Sequence, residues 1–175
     1  CAVAASGAVF CWGEGSDGQL GDGNESDSTK PVQVMGIADA VLISAGEAFS
    51  CAQSSDGAVR CWGAGGVGQL GNGSHDSAST PQQITGVATS VLGAGATHAC
   101  AATTEAEAVC WGANAFGQLG NNGTEEQTAA VSVVALSDVV SISAGREHSC
   151  AVTSVGTLWC WGAAGNGQLG DGRMT

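Results

Sequence analysis

The sequence is poor in basic residues. Four Lys and Arg residues stand against sixteen Asp and Glu residues in a chain of 175, which gives a formal net charge of −12. Such a charge repels phosphate backbones and anionic lipid headgroups, so neither nucleic acid nor a membrane surface is expected as a partner. Apolar runs are also short: the stretch 138–142 is typical, whereas a membrane span needs about 18 residues. We therefore expect no membrane insertion.

Tyrosine is absent, and Lys, Glu, Gln and Arg, which favour helices, are scarce. Glycine is abundant instead: the 29 glycines are more than twice the average share of roughly 7%. Each glycine inside a helix would cost about 1 kcal/mol relative to alanine. Because apolar residues reach 43%, the composition excludes disorder and predicts an all-β fold with many turns.

A repeat of about fifty residues runs through the whole chain. Cys-Trp-Gly followed by Gly-Gln-Leu-Gly occurs four times, beginning at Cys11, Cys61, Cys110 and Cys160, with spacings of 50, 49 and 50 residues. In the last repeat, residues 140–144 alternate between apolar side chains and serine, which predicts a strand. We expect a second strand at 148–153, a turn at 154–156 and a third strand at 157–161.

A fourth strand is predicted in each unit, after a polar stretch. Pro31 and Pro81 open these short segments, and proline is suited to a sheet edge because it lacks a backbone donor. Four antiparallel strands per repeat of this length predict the blade of a β-propeller. The chain then divides into a partial blade (1–40), two blades (41–89 and 90–138) and a partial blade (139–175). About three and a half repeats are therefore present, as part of a ring or as an open, assembled array.

The eight cysteines form four pairs with a constant spacing of ten residues. Each pair is symmetric about a predicted hairpin turn, so its members face each other across two antiparallel strands, close enough for a disulfide. We predict the bonds Cys1–Cys11, Cys51–Cys61, Cys100–Cys110 and Cys150–Cys160. Such bonds persist outside the reducing cytosol, which predicts an extracellular, cell-surface or periplasmic protein.

Other interpretations of the cysteines remain open. They could be small buried thiols, since cysteine is often fully buried. His98 with Cys100 and Cys110 has the residue types of a metal site. However, Phe49 stands at the position of His98 in the second repeat, which favours a packing role. We therefore predict no metal site and no cofactor.

Several motifs resemble the repeats of the regulator of chromosome condensation family. They are the segment 144–149 (Ala-Gly-Arg-Glu-His-Ser), the Asp56-Gly57 hairpin, the Trp111-Gly112 strand end and the loop 114–120. The resemblance covers nearly the whole chain and implies part of a seven-bladed propeller. With a disulfide in each repeat, the chain looks like a secreted, bacterial-type member. Relatives of that type that inhibit β-lactamases imply protein binding, and no residue here matches the nucleotide-exchange site of the family's namesake.

Tryptophan and asparagine supply further candidate residues. The tryptophan after each second cysteine is expected to pack between blades, the alternative being an aromatic binding surface. Trp159 is the better surface candidate. Three Asn-x-Ser/Thr triplets, at Asn24, Asn72 and Asn122, are candidate glycosylation sites, although turns are the favoured interpretation.

Three classes of function remain, and the first is the favoured one. It is a non-enzymatic extracellular scaffold that binds protein through variable loops, for which the candidate residues are Glu47, Thr97, Arg146, Glu147 and Trp159. The second is a structural subunit of a filament, which associates with itself through incomplete terminal blades. The third, a fragment of a propeller enzyme, is disfavoured because no catalytic constellation of residues stands out.

Overall fold

The computed structural model describes residues 1–174, which form antiparallel β-structure without a helix. The strands in chain order are β1 (Ala2–Val3), β2 (Val9–Gly13), β3 (Ser28–Gln33), β4 (Ala40–Ala45), β5 (Phe49–Ser54), β6 (Ala58–Gly63), β7 (Ala78–Ala94), β8 (His98–Thr103), β9 (Ala108–Gly112), β10 (Gln127–Ser132), β11 (Val139–Ala144), β12 (His148–Thr153) and β13 (Leu158–Gly162).

The strands build four propeller blades, which confirms the predicted fold class. In each complete blade an inner strand, two hairpin strands and an outer strand follow one another. Strand β7, at 17 residues, belongs to two blades. Its first part, up to Ala88, pairs with β6 as an outer strand, and from Thr89 onward it pairs with β8 as the next inner strand. The second and third blades therefore share one continuous seven-stranded sheet.

The first and fourth blades each have three strands within residues 1–174. Strands β1 to β3 form the first blade without an inner strand, and β11 to β13 form the fourth without an outer strand. Both features agree with the sequence prediction, and Thr175 lies outside the described residues. The third strand of the last blade starts one residue later than predicted, at Leu158. Thr157 still belongs to the hairpin turn, where its carbonyl accepts the N–H of Thr153 (3.0 Å).

Hairpin turns position the paired cysteines. In the second blade the Gly57 N–H donates to the Ser54 carbonyl (2.9 Å), and Gly57 has φ +84°, a conformation that glycine adopts without steric cost. This turn places Cys51 directly opposite Cys61 in the ladder. The third blade makes its turn with Ala106 in the left-handed region (φ 63°) and keeps the same register.

The hydrophobic core lies between the blades. Val59 and Leu70 of the second blade form one buried cluster with Ala99, Ala101 and Trp111 of the third. Small side chains at 99 and 101 let the two blades approach closely, and the indole fills the remaining width. Trp62 and Trp111 are fully buried, as expected for packing between blades, whereas Trp12 is 48% exposed.

Each of the buried tryptophans contacts the Gly-Gln-Leu-Gly motif of the preceding blade. The indole N–H of Trp62 donates to the backbone carbonyl of Gln19 in the preceding blade (3.0 Å). Trp111 and Trp161 repeat the contact with Gln69 (3.0 Å) and Gln118 (2.8 Å). The second glycine is required because a Cβ at Gly21 would lie 2.6 Å from the indole nitrogen of Trp62. The motif therefore fastens each blade to the next.

Candidate functional site

The structure contains all four predicted disulfides. Each pair lies opposite in the hairpin register, with Cα–Cα distances of 4.0 to 4.1 Å, and the described residues include no free cysteine. Cys51, Cys61, Cys100 and Cys110 are fully buried, because the following blade covers them. Each bond closes a short loop, which stabilises the fold by about 2–3 kcal/mol in the chain-entropy model.

His98 occupies a packing position between the third and fourth blades. Its Nε2 lies 2.9 Å from the Ser149 hydroxyl, which itself donates to the Gln118 carbonyl (2.9 Å). Burial, with a smaller contribution from His148, lowers the pKa of His98 from 6.5 to about 4. The imidazole is therefore neutral at pH 7. Cys100 and Cys110 are bonded to each other and supply no thiolate. No group of His, Cys, Asp or Glu side chains among residues 1–174 has metal-binding geometry.

Three loops at one end of the blades form the candidate interaction site. Each loop joins an inner strand to the first hairpin strand, and we call the set (46–48, 95–97 and 145–147) the loop face. The Glu47 N–H donates to the Ala96 carbonyl (3.2 Å), and the Ala96 N–H donates to the Gly145 carbonyl (3.3 Å). Backbone hydrogen bonds therefore join the loops of three successive blades into one surface.

Glycine begins each loop because there is no room for a side chain. A Cβ at Gly46 would lie 2.4 Å from the carbonyl oxygen of Gly95, and a Cβ at Gly95 would lie 2.2 Å from that of Gly145. The next two residues of each loop are not constrained in this way. This packing explains why the sequence repeats at the start of the loop and changes at its tip.

The loop tips carry charges of both signs. Glu47 is exposed, and the exposed Arg146 lies 3.8 Å from the Glu147 carboxylate, so this surface ion pair contributes little to stability. Thr97 is half-buried. Together with alanine and glycine, Glu47 and Arg146 line one shallow concave surface. Four of the five candidate interaction residues therefore belong to the loop face.

Trp159 lies elsewhere. It is 50% exposed on β13, towards the hairpin turn of the fourth blade. Val134 and Leu136 of the third blade line the same groove. The structure does not bring Trp159 together with the loop face.

The three Asn-x-Ser/Thr triplets lie in polar loops. Asn24 and Asn122 are exposed, and Asn122 has φ 62°. The Asn72 side chain accepts the backbone N–H of Ser74 (3.1 Å), which closes a local turn. This arrangement matches the turn interpretation of Asn72, and modification of all three asparagines stays a prediction.

Sequence reasoning missed the network around Asn114. This buried side chain donates to the Asn121 side chain and to the carbonyls of Gly123 and Glu125, and it accepts the N–H of Leu119, all within 3.0 to 3.1 Å. It braces the long loop of the third blade. The sequence does contain a signal for this network: Asn114 stands where the first two repeats have glycine, at Gly15 and Gly65.

Comparison with family models identifies three copies of one repeat. The regulator of chromosome condensation (RCC1) repeat matches residues 6–53, 56–102 and 109–152. A second description of the same repeat matches 40–69, 92–118 and 139–168. The chain belongs to the RCC1 repeat family. No curated protein matches the chain.

Solved structures show the same fold at low sequence identity. Prp20p from Saccharomyces cerevisiae has a TM-score of 0.83 at 21% identity, with 95% of this chain and 43% of that chain covered. Human WBSCR16 has a TM-score of 0.81 at 20% identity, with 90% and 43% covered. Yeast RCC1 (Prp20) bound to Kap60 gives 0.78 at 22%, with 90% and 40% covered. The RCC1-repeat chain thus spans about two fifths of these structures.

None of the described residues lies in a helix long and apolar enough to cross a membrane.

Proposed function

We propose that the chain is a non-enzymatic extracellular module that binds a protein partner through the loop face. The proposal rests on the structure of the three loops. Each begins with a glycine that leaves no room for a side chain, and the variable residues that follow lie on a surface shared by three blades. Binding residues are often placed on loops that a rigid scaffold positions. The four disulfides support an oxidising location.

The charge of the chain supports a protein partner of basic character. The formal net charge of −12 attracts a basic surface, and Arg146 supplies a single positive contact among acidic neighbours. One yeast structure contains RCC1 (Prp20) bound to Kap60, and Prp20p from Saccharomyces cerevisiae has binding properties to Gsp1p and histones. Those partners belong to Prp20, and they support protein binding as a use of this fold.

Affinity capture from extracellular fluid of the source tests this proposal. The bait variant carries Glu47→Ala, Arg146→Ala and Glu147→Ala. Its matched control carries Ser55→Ala, Thr104→Ala and Ser154→Ala, three exposed residues at the hairpin turns at the opposite end of the blades. We expect one protein to be retained by the wild type and by the control, and to be lost from the loop variant. Equal retention by both variants would assign binding to another surface.

A further inference from the structure

A cavity of about 310 Å³ lies at the hairpin-turn end of the third blade, and we call it the turn cavity. It is lined by the segment 86–88, where β7 passes from the second blade to the third, and by residues of the hairpin 103–107. Val109 of β9, which is 8% exposed, completes the lining. The walls belong to the second and third blades, which both have all four strands.

One blade earlier, an arginine side chain lies at the equivalent place. Arg60 occupies the ladder position that Val109 has in the third blade, and Ser54 occupies that of Thr103. The Arg60 Nη1 donates to the Ser54 hydroxyl (3.0 Å), which itself donates to the Asp39 carboxylate (3.2 Å). The second blade therefore places its own guanidinium beside the hydroxyl that corresponds to a cavity-lining group of the third blade.

The third blade has acidic groups at this place and no basic one. Valine at 109 is much shorter than arginine, and no basic residue lines the turn cavity. Glu105 and Glu107 both line it, and both are exposed. Neither carboxylate belongs to an ion pair within residues 1–174. The turn cavity therefore has the space and the charge for a basic side chain that the third blade itself does not supply.

The lining has the chemistry that an arginine side chain requires. Val87 and Val109 offer apolar surface to the methylene stem. The Thr103 hydroxyl oxygen already accepts the backbone N–H groups of Glu105 (3.3 Å) and Glu107 (3.2 Å). The two carboxylates are therefore the acceptors left for an incoming guanidinium, and bonds between these groups are among the stronger hydrogen bonds in proteins. The volume is at the lower end of the range for ligand pockets, which suits a single side chain.

We propose that the turn cavity binds the side chain of one arginine residue of a partner polypeptide. The contact repeats between two molecules what Arg60 does within the chain, with the stem on apolar surface and the guanidinium among oxygen atoms. Arginine is preferred to lysine because its planar guanidinium can bond to two carboxylates at once. The turn cavity lies at the opposite end of the blades from the loop face, so this proposal and the proposed function succeed or fail separately.

A titration of the isotope-labelled whole protein, followed by amide NMR shifts, tests the proposal. The probe is arginine acetylated at its amino group and amidated at its carboxyl group, so that it resembles an internal residue. We expect saturable shifts confined to 86–88 and 103–107, with a Kd on the order of millimolar. The same derivative of citrulline, which has a similar shape without the charge, should bind at least about fivefold more weakly. Equal binding of the two probes, or no saturable shift in these segments, would overturn the proposal.

Free arginine distinguishes a polypeptide occupant from a small molecule. The lining includes no basic side chain to hold an α-carboxylate, so free arginine should bind no more tightly than the blocked probe. If free arginine binds at least about tenfold more tightly, the occupant is a small molecule and the proposal is wrong.

Two pairs of substitutions locate the site. Glu105→Gln with Glu107→Gln removes both charges at exposed positions and should weaken binding of the blocked arginine at least about threefold. Glu14→Gln with Glu25→Gln removes the same charge from exposed positions in the first blade and should change the Kd by less than about 1.5-fold. Equal effects of the two pairs would reveal general attraction to an acidic chain and would contradict a specific site.

Val109→Arg supplies an internal occupant. It gives the third blade the side chain that the second blade has at Arg60, and it should abolish the saturable shifts at 103–107. Undiminished binding by this variant, with a circular dichroism spectrum like that of the wild type, would count against the proposal. The glutamine variants change only exposed side chains, so they decide the question even if Val109→Arg does not fold.

Discussion

Single residues distinguish the interfaces between otherwise similar blades. Between the third and fourth blades, His98 bonds to Ser149. The equivalent positions one blade earlier hold Phe49 and Ala99, which belong to one buried apolar cluster. One interface thus has a polar pair and the neighbouring interface has an apolar pair, and the two members of each pair match in polarity. A mismatched pairing would leave a buried imidazole without its hydroxyl, which disfavours incorrect stacking of repeats.

A double-mutant cycle tests this matching. Ser149→Ala leaves the His98 Nε2 buried without a partner and should lower the free energy of unfolding by about 1–3 kcal/mol. Combining it with His98→Phe recreates the Phe49–Ala99 pair and should recover part of that loss. The measurement is urea denaturation without reductant. If the double variant is as destabilised as the sum of the single variants, the pairs are not matched.

The same histidine predicts an acid-sensitive interface. Because folding lowers the pKa of His98 from 6.5 to about 4, the unfolded chain binds this proton more readily than the folded one. The free energy of unfolding should therefore fall as the pH decreases from 6.5 towards 4, by roughly 3 kcal/mol at most, and this contribution should level off at lower pH.

Comparison of the wild type with the double variant at several pH values isolates the contribution of His98. The variant that carries His98→Phe and Ser149→Ala should lose less stability than the wild type between pH 6.5 and pH 4. Parallel curves for the two proteins would show that His98 does not cause the pH dependence.

Neighbouring blades are joined by a hydrogen bond from an indole N–H to the backbone carbonyl of a glutamine. Trp62→Phe removes the donor to Gln19 and part of the buried ring, and it should lower the free energy of unfolding by about 1–3 kcal/mol. Trp12→Phe is the matched control, because this side chain is half exposed and has no such bond in the described residues. It should change stability by less than about 0.5 kcal/mol. Equal effects of the two changes would contradict the role of the bond.

Hairpins could be predicted at this scale, and contacts between blades could not. Cysteines placed symmetrically about a turn specify their own partner, and alternation in 140–144 specifies a strand. By contrast, Trp62 binds a backbone carbonyl, which every residue type possesses, so the sequence does not name its partner. The continuity of β7 was also missed, because the proline at 81 suggested a short edge segment and gave no sign that the strand continues into the next blade.

At the scale of the whole molecule, each blade is closed by a disulfide. Four such bonds fit a protein outside the reducing cytosol, and the net charge of −12 suits a basic partner.

The most direct test is the state of the eight cysteines in protein isolated from its source. The protein would be denatured in an alkylating agent without reductant, and its mass and disulfide-linked peptides determined. We expect no alkylated cysteine and four linked pairs, each joining cysteines ten residues apart. Eight alkylated cysteines would contradict both the covalent closure of the blades and the proposed extracellular location.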